Sequence, residues 1–166
     1  MDHAARRGRA GRGSLVDEAR TTGPPAGGRR ERAGWYSYAV IRVVPRPERE
    51  EFVNCGVILF APELRFLGAA IELDAARVRA LAPEAELAAI ERHLAVLQAV
   101  ADGREKGGPI AALPQQDRFH WLTAPRSTVI QTSAMHTGRC ADSRAVLDEL
   151  LDEFVRPPKR EVISSE

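Results

Sequence analysis

Between Trp35 and Phe60 the chain reads WYSYAVIRVVPRPEREEFVNCGVILF, two apolar runs rich in β-branched and aromatic residues around a proline-bracketed charged loop. Runs of this kind bounded by turn signals predict two strands of a buried sheet, over residues 36–44 and 52–60. In the first, Tyr36, Tyr38, Val40, Arg42 and Val44 share one face and Ser37, Ala39, Ile41 and Val43 the other. Both faces are largely apolar, which suits a strand covered on both sides or one lying inside a homo-oligomer. In the second, strict alternation groups Phe52, Asn54, Gly56, Ile58 and Phe60 against Val53, Cys55, Val57 and Leu59. The turn Ala61-Pro62-Glu63-Leu64 then leads into a third strand over residues 65–73 as a β-hairpin.

Asp74 is placed to cap a short helix running to about Ala82. Pro83 suits the first turn of a second helix, with Glu84 and Glu86 where the helix dipole favours acids. Leu87, Ile90, Leu94 and Leu97 follow as a core-facing stripe, and Asp102-Gly103 ends it. Residues 107–114 hold too much Gly and Pro for regular structure, whereas residues 119–122 and 128–133 predict short strands. Asp142 caps a last helix whose stripe is Leu147, Leu150, Leu151 and Phe154, stopped by Pro157. The order β-β-β-α-α-β-β-α predicts an α+β domain: a mainly antiparallel sheet of about five strands with helices packed on one face.

This single domain takes up residues 35–155, a length able to bury about two-thirds of its unfolded surface. Residues 1–34, rich in Arg, Gly and Ala without apolar periodicity, and residues 156–166 read as disordered tails. The net charge of +1 conceals an asymmetry. Residues 1–34 carry eight arginines against four acids, which leaves sixteen basic and nineteen acidic side chains for the rest. A mildly acidic body is a poor partner for a phosphate backbone, so only the basic tail is suited to weak contact with nucleic acid. Lysine occurs only at Lys106 and Lys159. Such an arginine bias, beside abundant alanine, reflects a GC-rich genome more than recognition, so arginine alone is a weak functional signal. Cys55 and Cys140 form no CxxC pair and no metal-ligand spacing, and residues 1–34 lack the apolar stretch of a signal peptide. No apolar run approaches the roughly 18 residues of a membrane span. These features predict a cytoplasmic chain with reduced thiols and no membrane association.

YSYAVIR at residues 36–42 and EFVNCGV at residues 51–57 resemble a bacterial family, domain of unknown function 3037. WLTAPR at residues 121–126 and the closing helix are similar to it as well, so the resemblance covers residues 35–155 and leaves out both tails. Cys55 stands where the family typically has an aliphatic residue, a replacement that packs alike. The resemblance brings no reaction with it. Members of the family are often encoded beside kinases resembling the HipA toxin kinase, which implies a protein partner of that kind.

Arg42, Asn54 and Gly56 are unneeded in plain core strands. Arg42 reads either as a snorkelling side chain that reaches water or as a partly buried cation for a carboxylate or other anion. Asn54 and Gly56 read either as a bulge with the amide satisfying backbone groups, or as a notch that admits a ligand or second chain. With Arg42 opposite, the three would form one polar patch, the site of a small enzyme or nucleotide-binding domain. Arg126, in the loop Pro125-Arg126-Ser127-Thr128, offers a guanidinium and neighbouring hydroxyls to a phosphate or a partner; the alternative is a locally bonded turn. His136, followed by Thr137-Gly138 in a predicted loop, is the histidine to single out, since His93 reads as exposed and His120 as structural. Ser127, His136 and Asp142 can be drawn as a triad, but no nucleophile elbow surrounds Ser127. Glu48, Glu50 and Glu51 read as solvated loop acids. With no P-loop, dinucleotide fingerprint or zinc spacing, no cofactor or metal is expected. The leading expectation is a non-enzymatic interaction domain that acts on a HipA-like kinase; the enzyme or nucleotide-binding domain is the alternative.

Overall fold

Three runs of apolar, β-branched side chains dictate the centre of the molecule. In the computed structural model, which describes residues 33–126 and 128–158, these runs form β1 (Gly34–Arg46), β2 (Glu51–Ala61) and β3 (Phe66–Ile71). Four helices follow: α1 (Ala75–Leu81), α2 (Leu87–Asp102), α3 (Gly108–Ala111) and α4 (Gln115–Thr123). The strands β4 (Ile130–Thr132) and β5 (His136–Cys140) and the helix α5 (Ser143–Phe154) complete the order. The sheet is antiparallel in the order β3-β2-β1-β4, with β5 also on β1. The long β1 accommodates two short strands end to end along one side, β5 at residues 34–38 and β4 at residues 41–43. Ser133 fills the gap between them. Its Oγ accepts from the Val40 N–H and its own N–H donates to the Val40 carbonyl, each at 2.9 Å.

The two hairpin turns share a design. Pro47–Arg49 and Pro62–Leu64 each make one 3-10 turn led by proline, whose fixed φ suits that position. Glu50 (φ 57°) and Arg65 (φ 51°) then turn left-handed and donate their N–H back to the Pro47 and Pro62 carbonyls.

The α+β class and the five-stranded antiparallel sheet agree with the sequence pattern. On one face Ile41, Val43, Val53, Cys55 and Ile58 pack with Val78 of α1, with Ile90, Leu94, Leu97 and Val100 of α2, and with Phe119 and Leu122 of α4. On the other face α5 sets Leu147, Leu150 and Leu151 against Val57, Leu59 and Ala61. The helical layer predicted on one face is therefore joined by α5 on the second, and the doubly apolar pattern of β1 is satisfied within one chain.

The register of β1 on β2 contains a bulge. Ile41 lies opposite Gly56 and Arg42 opposite Asn54, leaving Cys55 as the extra residue. Parity reverses there: Val53 and Cys55 face the α2 layer, but beyond the bulge Ile58 and Phe60 take that face. The strict alternation predicted over residues 52–60 fails at this point.

Other departures have local causes. Residues 119–122, predicted as a strand, belong to α4, and the short apolar run is one side of a helix. Helix α2 starts at Leu87 with Glu86 at its N-cap, so Pro83 and Glu84 precede it. Residues 107–114 contain the single turn α3, and His136 lies in β5 rather than a loop. Residues 1–32, Ser127 and residues 159–166 lie outside the described residues, so the disorder predicted for the tails is not addressed there. Arg156, assigned to the C-terminal tail by sequence, instead closes the domain with ion pairs to Glu72, Asp148 and Asp152.

Three polar side chains finish the frame. Buried Arg118 of α4 donates from Nη1 to the Val100 and Ala101 carbonyls, both at 2.9 Å, and so satisfies the last turn of α2 beside the left-handed Gly103. On the outer edge of the sheet, Gln98 of α2 donates to the Ala69 carbonyl of β3 at 2.9 Å. Gln115 does the same for Arg65 at 3.1 Å.

Candidate functional site

β1 carries Arg42 to the α5 side of the sheet, beside a cavity whose lining includes no α5 residue. Its Cζ lies 4.2 Å from the centre of the Phe52 ring, a cation–π contact across the hairpin. Val44, Pro47, Glu50, Phe52 and Gln131 complete a cavity of about 340 Å³ around it. Phe52 is 44% exposed, unusual for an aromatic on a central strand. Among the described residues no carboxylate or carbonyl bonds Arg42, and its Nε is buried without a partner. The guanidinium is half-buried and chemically unengaged except by the ring.

Asn54, the register partner of Arg42, donates from Nδ2 to the Phe154 carbonyl at 3.0 Å. It satisfies a backbone group at the end of α5, as the bulge reading expects, although that group is distant in sequence rather than local. Its Oδ1 is buried without a partner. Gly56 does something else. A Cβ there would sit 2.7 Å from the Ala70 carbonyl oxygen and 3.1 Å from side-chain atoms of Ile41 and Ile71. The missing side chain admits the neighbouring strand and leaves no notch for a ligand. The bulge also turns Gly56 to the face opposite Asn54, so the expected polar patch of three reduces to Arg42 and Asn54.

Arg126 is also half-buried. Its Nη2 donates to the Trp121 carbonyl at 2.6 Å and its Nη1 to the Leu122 carbonyl at 3.3 Å, which caps the end of α4. The guanidinium stacks on the Trp121 ring at 4.6 Å, and burial lowers its pKa. His136 is exposed on β5 and stacks on Tyr38 with ring centres 5.2 Å apart, while Tyr38 in turn meets Phe154. Ser127 lies outside the described residues. The Asp142 carboxylate is committed to the Arg144 and Ala145 N–H groups at the start of α5. His93 is exposed as expected, but His120, expected to be structural, is exposed on α4.

The remaining titratable groups have structural causes. Cys55, enclosed in the core, has its thiol pKa pushed up to about 12 by burial and is an inert packing group. Burial also raises Tyr36 and Tyr38, and the hydrogen bond from Arg49 holds Glu51 below the usual carboxylate value. Among the described residues no group of three or more His, Cys, Asp or Glu is arranged to hold a metal ion, and no helix is long and apolar enough to cross a membrane.

A family model described as Protein of unknown function (DUF3037) matches residues 38–155. The chain belongs to the DUF3037 family. Comparison with characterised proteins and with solved structures gives no match. Within this DUF3037 domain, Arg42, Asn54, Gly56, Arg126 and His136 all fall inside the matched segment. Sequence reasoning passed over Phe52 as a partner of Arg42, although two side chains on one face of adjacent antiparallel strands are within reach of each other. It also passed over Arg118, because arginine was discounted and α4 was read as a strand.

Proposed function

We propose that this DUF3037 domain is a non-enzymatic, cytoplasmic interaction module that docks a protein partner through the Arg42–Phe52 patch. The observation that carries the reading is the half-buried Arg42 guanidinium, stacked on a half-exposed aromatic ring and bonded to no acceptor among the described residues. Arginine and aromatic side chains in a shallow concavity are what interface hot spots are made of. A carboxylate of the partner would meet the Arg42 guanidinium from the cavity that it lines. The gene-neighbourhood resemblance supplies the partner class, a HipA-like kinase, whose activity the docking would modulate.

The test is calorimetric titration of the domain against the product of a neighbouring kinase-like gene. Wild type should bind, and Arg42→Ala should weaken the complex by about thirtyfold, the scale of a hot-spot arginine, with the domain still folded by circular dichroism. Phe52→Ala should weaken it as well. If the kinase does not bind and the domain alone binds a nucleotide, the enzyme or nucleotide-binding reading takes the lead.

A further inference from the structure

The cavity around Arg42 is lined by Arg42, Val44, Pro47, Glu50, Phe52 and Gln131, so it holds one charge of each sign. Arg42 comes from β1, and Glu50 from the turn that joins β1 to β2. The turn fixes the Glu50 backbone: its φ is 57° and its N–H donates to the Pro47 carbonyl at 3.3 Å.

Ion pairing along this hairpin passes over both lining charges. Arg46 pairs with Glu84, and Arg49 with Glu51. Among the described residues neither Arg42 nor Glu50 has an ion pair, with each other or with a third group. Glu48 has none either, but it does not line the cavity. Gln131, the remaining polar side chain of the lining, donates from Nε2 to the Thr128 carbonyl at 2.9 Å.

An unpaired cation and an unpaired anion in one cavity select by sign. A purely acidic or purely basic occupant is repelled by one of them, whereas an occupant that carries both charges is attracted by both. A phosphoryl group meets the same difficulty in stronger form, since its two negative charges would share the cavity with Glu50.

We propose that the partner segment docked at the Arg42–Phe52 patch presents an acidic and a basic side chain together, the acid to Arg42 and the base to Glu50. This rests on the docking role of that patch and adds the chemistry of what docks there. The two pairs differ in weight. Arg42 is half-buried and its Nε is enclosed, so its pair supplies most of the affinity. Glu50 is exposed, and its pair serves selection more than affinity.

The sign of one substitution decides the matter. In calorimetric titration against the neighbouring kinase-like protein, Glu50→Gln should weaken the complex by about two- to fivefold, the scale of an exposed ion pair. Glu50→Lys should weaken it further, because the partner's base then meets a cation. A segment bearing only acids, or a phosphorylated one, gives the opposite sign, since removing the Glu50 charge removes a repulsion. Glu50 is exposed, so both variants should melt as wild type does. Unchanged or tighter binding by the two Glu50 variants, beside a weakened Arg42→Ala complex, would overturn the inference and leave the docking role standing. No binding by wild type, or wild-type affinity in Arg42→Ala, would overturn both.

Discussion

The side-chain amide of Asn54 is hydrogen-bonded at 3.0 Å to the backbone carbonyl of Phe154, fastening the middle of β2 to the end of α5. Helix ends leave carbonyls without intrahelical partners, and this one lies against a sheet where water has little access. A polar residue in an apolar strand thus serves the helix that covers it.

Asn54→Leu keeps the branched shape and removes the donor. The Phe154 carbonyl then loses its partner, at a cost of about 1–2 kcal/mol. The unpartnered Oδ1 of Asn54 disappears in the same change, which keeps the loss toward the lower end. Urea unfolding measures this, and an unchanged midpoint would mean the bond contributes nothing.

Gly56→Ala should be more damaging than its single methyl suggests. The new Cβ would meet the Ala70 carbonyl oxygen at 2.7 Å, and backbone of β3 must move to relieve it. Overpacking of this kind costs about 1–3 kcal/mol. A ligand-binding role for Gly56 would instead leave stability intact, so the same unfolding experiment separates the two.

Arg118→Met should loosen the end of α2. It withdraws the donor of the Ala101 carbonyl and leaves the Val100 carbonyl with the Gly103 N–H alone, at a cost of about 1–3 kcal/mol, whereas Arg118→Lys, which keeps a cation and a donor, should lose less. Amide hydrogen exchange should rise first in the last turn of α2. Uniform protection across α2 in the Met variant would contradict the capping role.

The ion pair of Arg156 with Glu72 gives the domain a predictable acid response. Hydrogen bonding from Arg156 holds the Glu72 carboxyl below its ordinary value. Between the folded and unfolded values the unfolded chain binds more protons, so stability there rises with pH. The contribution is complete above the ordinary carboxylate value and is lost as pH falls through the lower, folded value. Glu72→Gln should flatten the acid limb of the stability curve, and its difference from wild type should shrink in high salt because the pair is exposed. Parallel urea midpoints for the two proteins at every pH would rule this out.

The strands β1 to β3, both aspartate caps and the stripes of α2 and α5 were legible because each is a local pattern repeated over several residues. Helix α4 was not, since Phe119 to Leu122 offers only four residues and a strand and a helix look alike over so short a run. β5 has no apolar alternation at all; its sequence HTGRC forms a strand because β1 offers it an edge, and Tyr36 lies across from Gly138, where no side chain intervenes. Of the candidate site, the unusual residues could be named but not assembled. One bulged residue, Cys55, decides that Asn54 joins Arg42 and Gly56 does not; the glycine marks a bulge as one reading, but its type and spacing do not say which residue is the extra one.

Gln98, which reaches from α2 to the Ala69 carbonyl, gives the sheet a direction of growth. Strands recruit one another through unclaimed backbone groups, and on the β3 margin a helix side chain claims one of them before another molecule can. The opposite margin, formed by β4 and β5, borders no further strand among the described residues. The two margins are therefore unequal: an incoming strand would find the Ala69 carbonyl already taken on the β3 side and would have to displace Gln98 to pair there.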